Sequence, residues 1–161
     1  MTHHTIRDAL VRAIYAEIGA GNFYTHMAER ISNPEGSRRF EELAGDERGH
    51  RQTLEGWYER IVGEAFEVDE EAVKASEIGD IAIDRQAGAL EALDIAIDAE
   101  AKARSFYLEQ AQKAQDAEMR SMFERLADQE QGHYNLLSAE RNAVVGGFYW
   151  FDMDSAGFLE D

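Results

Sequence analysis

Apolar residues recur along this chain in alternating steps of three and four, with polar residues filling the gaps. The first line runs Leu10, Ile14, Glu17, Gly21, Tyr24, Ala28 and Ile31, a spacing that keeps all of them on one face of a helix. Asn33 before Pro34 predicts a helix cap with proline at the first helical position. The second line is then Phe40, Leu43, Glu47, His50, Leu54, Trp57 and Ile61, ended by Gly63. Residues 64 to about 84 are acidic and less regular, with a short helical turn expected near Glu70 to Ala75. A third long segment carries Leu93, Ile97, Glu100, Arg104, Tyr107 and Ala111. Asp116 predicts the cap of a fourth, which carries Phe123, Leu126, Glu130, His133, Leu137 and Val144 before Gly146 and Gly147 break it. Nothing reads as a strand, so the class is all-α.

Loop lengths choose the topology. Tight turns join the first helix to the second and the third to the fourth, so each pair is antiparallel. The acidic stretch between the pairs is long enough to cross the whole bundle. The expectation is a four-helix bundle of two antiparallel hairpins joined by one long crossover. It is read as one domain over residues 1–145, followed by an aromatic and acidic tail at 146–161. That tail, with Phe148, Tyr149, Trp150 and Phe151, is expected to cover a bundle end or a dimer interface.

The two hairpins repeat one another. An offset of 83 residues carries Glu17 onto Glu100, Tyr24 onto Tyr107, Glu47 onto Glu130 and His50 onto His133, without a gap. Packing residues follow the same offset, among them Leu10 and Leu93, Phe40 and Phe123, and Leu43 and Leu126. Each half therefore supplies one Glu and one Glu-x-x-His pair. Glu17 falls opposite the span between Glu47 and His50 across its hairpin, and Glu100 opposite the span between Glu130 and His133. All six side chains come to one level near mid-helix.

Composition narrows the chemistry. There is no cysteine, which excludes disulfides, thiolate metal sites and a catalytic thiol in this chain, so electrons must come from an external donor. The net charge of −17 disfavours nucleic acid and anionic membranes as partners, and most of these charges belong to a solvated surface. No stretch approaches the length and apolarity of a membrane span, and the expected location is cytoplasmic. Carboxylates on apolar lines need a different account, because an unpaired buried carboxylate costs several kcal/mol. Arg104 is the one basic residue on the four lines. Four carboxylates with two neutral imidazoles carry −4, which two divalent cations balance; a buried polar network is the alternative.

A tyrosine on such a stripe is most often core packing. Beside a metal pair, Tyr24 and Tyr107 become candidate catalytic residues that hydrogen-bond a ligand carboxylate or donate an electron. Asp46 and Gln129, each just before a Glu of the Glu-x-x-His pair, are candidates to hold the far nitrogen of a histidine across the bundle, with a surface position nearly as expected. His3, His4 and His26 lack partner spacing and are expected on the surface.

Glu17 with Tyr24, LAGDERGH at 43–50, Glu100 with Tyr107, and LADQEQGH at 126–133 resemble the rubrerythrin and bacterioferritin branches of the ferritin-like superfamily. The resemblance spans roughly residues 5 to 145 and implies a ferritin-like bundle that holds a non-haem di-iron centre. It implies metal ligation by Glu17, Glu47, His50, Glu100, Glu130 and His133, with Glu47 and Glu130 bridging two iron ions; manganese and zinc are the alternative metals. The implied activity is oxidation of ferrous iron or reduction of hydrogen peroxide or oxygen, in a homodimer. An iron-storage assembly and a di-iron hydroxylase are the competing readings. Two departures stand out. The four cysteines of the rubredoxin domain of typical rubrerythrins have no counterpart in this sequence, so no such domain is expected, and the place of their extra Glu on the third helix is Ala103. No haem is expected.

Overall fold

The computed structural model describes residues 3–78 and 88–145. Their regular elements are all helices: α1 (His3–Arg30), α2 (Pro34–Val62), α3 (Glu70–Ala75), α4 (Ala89–Lys113) and α5 (Ala117–Val145). The caps fall where the sequence puts them. The Asn33 side chain accepts from the backbone N–H of Glu35 at 2.9 Å and of Gly36 at 3.5 Å, with Pro34 in the first turn. Asp116 accepts from Glu118 N–H at 2.8 Å and Met119 N–H at 3.0 Å at the start of α5. Gly63 closes α2 in the left-handed region at φ 91°, its N–H donating to the Glu59 carbonyl, a conformation a Cβ would strain.

Cross-helix pairs fix the directions. Between α1 and α4, Tyr24 meets Glu100 and Tyr107 meets Glu17, so residue numbers rise on one helix as they fall on the other. Between α2 and α5, Arg39 meets Glu140, Asp46 meets His133 and Arg60 meets Glu118 with the same opposed run. With antiparallel neighbours throughout, α2 and α4 are parallel on a diagonal, as the long crossover demands. The six-residue α3 lies within that crossover, at the predicted Glu70 to Ala75.

The core is divided in two. One cluster joins Phe23, Tyr24, Met27, Phe40, Leu43, Leu93 and Leu137. The other joins Leu10, Ile14, Leu54, Tyr107, Met119, Phe123 and Leu126. Each contains one of the repeated tyrosines, and a polar layer lies between them. Burial of these side chains contributes roughly 1.5–3 kcal/mol each, which holds the polar layer in place from both ends.

Four side chains depart from the expected lines. Trp57, Ile61, Ile97 and Arg104 are only half-buried, while Tyr58 and Ala96 take the interior. An α-helix turns once per 3.6 residues, so a line drawn at 3.5 drifts sideways by about 20° per heptad. Trp57 instead lies under the Arg60 guanidinium, 4.5 Å from its ring centre. His26 is half-buried rather than at the surface. Gly146, Gly147 and the aromatic tail lie outside the described residues, as do the side chains of His3 and His4. No described helix is long and apolar enough to cross a membrane.

Candidate metal centre

The polar layer holds all six repeated residues. Glu17 comes from α1, Glu47 and His50 from α2, Glu100 from α4, and Glu130 and His133 from α5. None is more than 7% exposed. They form two groups, Glu17, Glu47, His50 and Glu130, and Glu47, Glu100, Glu130 and His133, and within each group the donor atoms lie within 4.8 Å of one another. Glu47 and Glu130 belong to both.

Distances repeat the internal symmetry. His50 Nδ1 lies 3.1 Å from Glu130, 3.4 Å from Glu17 and 3.7 Å from Glu47. His133 Nδ1 lies 3.0 Å from Glu47, 3.3 Å from Glu100 and 3.6 Å from Glu130. The imidazoles stack with ring centres 5.9 Å apart and planes 18° from parallel.

Each histidine is oriented from behind. His50 Nε2 donates to the Gln129 side-chain carbonyl, and His133 Nε2 donates to Asp46 at 3.0 Å. A carbonyl or carboxylate oxygen can only accept, so Nε2 carries the proton and Nδ1 has its lone pair free when the ring is neutral. This is the outer support that metal-binding histidines require. Replacing Asp46 by alanine is expected to weaken zinc binding at the His133 end by about 10–100-fold, measured by calorimetric titration. Unchanged affinity would remove Asp46 from this role.

The tyrosines cross between hairpins. Tyr24 on α1 donates to Glu100 on α4, and Tyr107 on α4 donates to Glu17 on α1. Burial first, then the adjacent Glu100 or Glu17 carboxylate, pushes each phenol well above its usual range, so both remain O–H donors.

The protonation pattern shows what the cage needs. Burial, and then repulsion from Glu17, pushes Glu47 well above the carboxylate range. Burial raises Glu130 to about 8, opposed by its contact with His50. Burial alone would lower the histidines, but the carboxylates around them prevail. Glu130 and Glu17 hold His50 up to about 10, and Glu100 with Glu130 holds His133 up to about 9. Burial also pushes Glu17 upward, yet contacts with Glu47, His50 and Tyr107 bring it below its ordinary value. Without a metal, the layer therefore holds protons in place of cations.

Even so, many donors have no partner. Buried Glu17 Oε2, both Glu47 oxygens, Glu100 Oε2, Glu130 Oε1 and both histidine Nδ1 atoms make no hydrogen bond. Once deprotonated, these atoms present oxygen and imidazole lone pairs to one layer, the donor set that iron, manganese or zinc accepts. The residues fit a pair of divalent ions.

A cavity of about 670 Å³ opens between α1, α3 and α4 and reaches all four carboxylates. Ala103, at the place where rubrerythrins carry their extra Glu, is one of its walls. No periodicity announces this space.

The Rubrerythrin family model matches residues 8–141. Among solved structures, the chain is similar to one titled Hypothetical Protein Pfu-1136390-001 from Pyrococcus furiosus. The identity is 28%, with a TM-score of 0.72, over 88% of this chain and 90% of that one. No curated protein matches. With the family matched over most of its length and two Glu/His groups placed for a metal pair, the chain belongs to the rubrerythrin family and is a non-haem di-iron oxidoreductase.

Proposed function

We propose that two iron ions would be held by these six residues, Glu17 with His50 serving one ion, Glu100 with His133 the other, and Glu47 and Glu130 shared between both. When bound, the iron pair supplies the electrons that reduce hydrogen peroxide or oxygen, and an external donor restores them. The observation that carries this reading is the set of partnerless donor atoms shared between two groups through Glu47 and Glu130.

The protein's own part is positioning and charge. Gln129 and Asp46 fix the imidazole faces. Tyr107 and Tyr24 occupy one oxygen each of Glu17 and Glu100, leaving the other for metal. They act as positioning residues that limit how far those carboxylates swing. The two apolar clusters exclude water from above and below. Homodimeric pairing and a cytoplasmic setting belong to the same proposal and rest on the family likeness.

Anaerobic titration with ferrous iron, followed by separate mixing with oxygen and with peroxide, tests this. Two irons per chain and a ferric absorbance that a supplied reductant bleaches repeatedly are expected. The Tyr24→Phe, Tyr107→Phe double variant is expected to keep two irons but to oxidise them at an altered rate. One iron per chain, or none, would refute the ligand assignment.

A further inference from the structure

We propose that the cavity between α1, α3 and α4 is a binding site for a small, uncharged, mainly apolar organic molecule, seated directly against the carboxylate layer. Its walls are small side chains on both sides of the outer ligands. Ala16 and Ala20 flank Glu17 on α1, and Ala99 and Ala103 flank Glu100 on α4. These alanines are why α1 and α4 enclose space instead of closing on each other. At about 670 Å³ the cavity far exceeds the roughly 30 Å³ share of one water molecule. It falls within the about 300–1,000 Å³ of small-molecule sites, much larger than oxygen or peroxide requires.

The roof is built on purpose-placed contacts. Helix α3 buries none of its residues fully; Val73 packs against the second core cluster, and a contact at each end seats the helix. At its start the Asp69 N–H donates to the Tyr15 hydroxyl at 2.9 Å, and Tyr15 packs edge-on against Phe66 with ring centres 5.5 Å apart. At its end the Ser76 carbonyl rests on Gly19 of α1, where a Cβ would collide with that oxygen. Ala72 and Ala75 then face the cavity as its ceiling.

Lining chemistry selects the occupant. The interior is mostly apolar, and its polar floor consists of Glu17, Glu47, Glu100 and Glu130, each with an oxygen that no hydrogen bond satisfies. At the margins Lys102 pairs with Asp98 at 2.8 Å and Arg12 lies over the Phe106 ring at 4.9 Å. An anion would meet a floor of four acidic side chains, and a strongly polar molecule would lose hydration against alanine walls. The binding proposal stands without the metal assignment; only the juxtaposition of an organic molecule with a redox centre rests on it.

Indole is a suitable probe, titrated calorimetrically into zinc-loaded and metal-free protein, with metal content assayed on each sample. Saturable one-to-one binding is expected. Ala103→Phe fills the space and is expected to weaken indole by at least about tenfold. Gly19→Ala displaces the roof from a position that does not line the cavity and is expected to weaken it as well. Indole binding retained in a chain that fails to take two metals supports the cavity and counts against the metal assignment alone. Absence of saturable binding in both forms, or equal affinity in the wild type and both variants, overturns the proposal.

Discussion

Replacing Glu47 and Glu130 together by alanine is expected to abolish stoichiometric binding of two metal ions and, with it, all iron oxidation. Each of these carboxylates belongs to both donor groups. Their loss leaves Glu17 and His50 at one end and Glu100 and His133 at the other. Metal affinity should fall by at least about a thousandfold per site, since half of the protein donors are gone. Glu17→Ala is the graded control, because it removes one donor from a single group and should impair one site before the other. The bundle should still fold: the two apolar clusters are untouched, and both removed groups are carboxyls that burial disfavours. Circular dichroism separates loss of metal from loss of fold. Two irons bound by a folded double variant would contradict the bridging roles.

The second large effect is the dependence of metal-induced stability on pH. Glu47 and Glu130 titrate higher in the folded chain than the ordinary 4.5, Glu130 near 8. Their contribution is complete below that ordinary value and is lost as pH rises through the raised ones. His50 and His133, raised to about 10 and about 9 from 6.5, contribute fully below pH 6.5 and lose this above pH 9. Glu17, lowered, works in the opposite sense at the acid end. The metal-free protein should therefore lose stability from mildly acid to alkaline pH.

Metal binding runs the other way. At neutral pH two imidazoliums and two carboxylic acids must lose protons before ions enter, so loading two divalent ions should release about four protons. Affinity then rises steeply with pH. The increase in Tm on adding zinc should be small near pH 5 and about 10 °C or more near pH 8. Thermal melts with and without zinc across that range, together with proton release in weakly buffered solution, check both signs. A zinc-induced shift that shrinks as pH rises would contradict the protonation pattern.

The helices and the six donors were legible because the repeat constrains them twice. A Glu on an apolar line means little alone, but Glu17 and Glu100 share one register with a Tyr at +7 and a Glu-x-x-His 30 residues on. Antiparallel pairing then forces the donors to one level. Caps were equally readable, since Asn33–Pro34, Gly63 and Asp116 act through local backbone geometry. Side-chain facing near the helix ends was less so: small errors in helical period accumulate, and Tyr58 replaced Trp57 in the core. Asp46 and Gln129 could be nominated, but only the opposed run of α2 and α5 decides which histidine each reaches. The cavity had no sequence signal at all. Alanines beside Glu17 and Glu100 read as good helix formers, and the roof over the space between them depends on long-range contacts of Gly19 and Tyr15 with the α3 region. Buried Glu140 also escaped notice. It closes one end of the bundle against Arg39 at 3.0 Å, a pairing across α2 and α5 that no local spacing announces.

The most direct test of the shared cage is anomalous X-ray diffraction at the iron edge from crystals loaded anaerobically with ferrous iron. The expected result is two iron peaks per chain, both touching Glu47 and Glu130, with His50 Nδ1 on one and His133 Nδ1 on the other. A single peak, or iron bound only at the acidic surface with the buried layer still protonated, would contradict it.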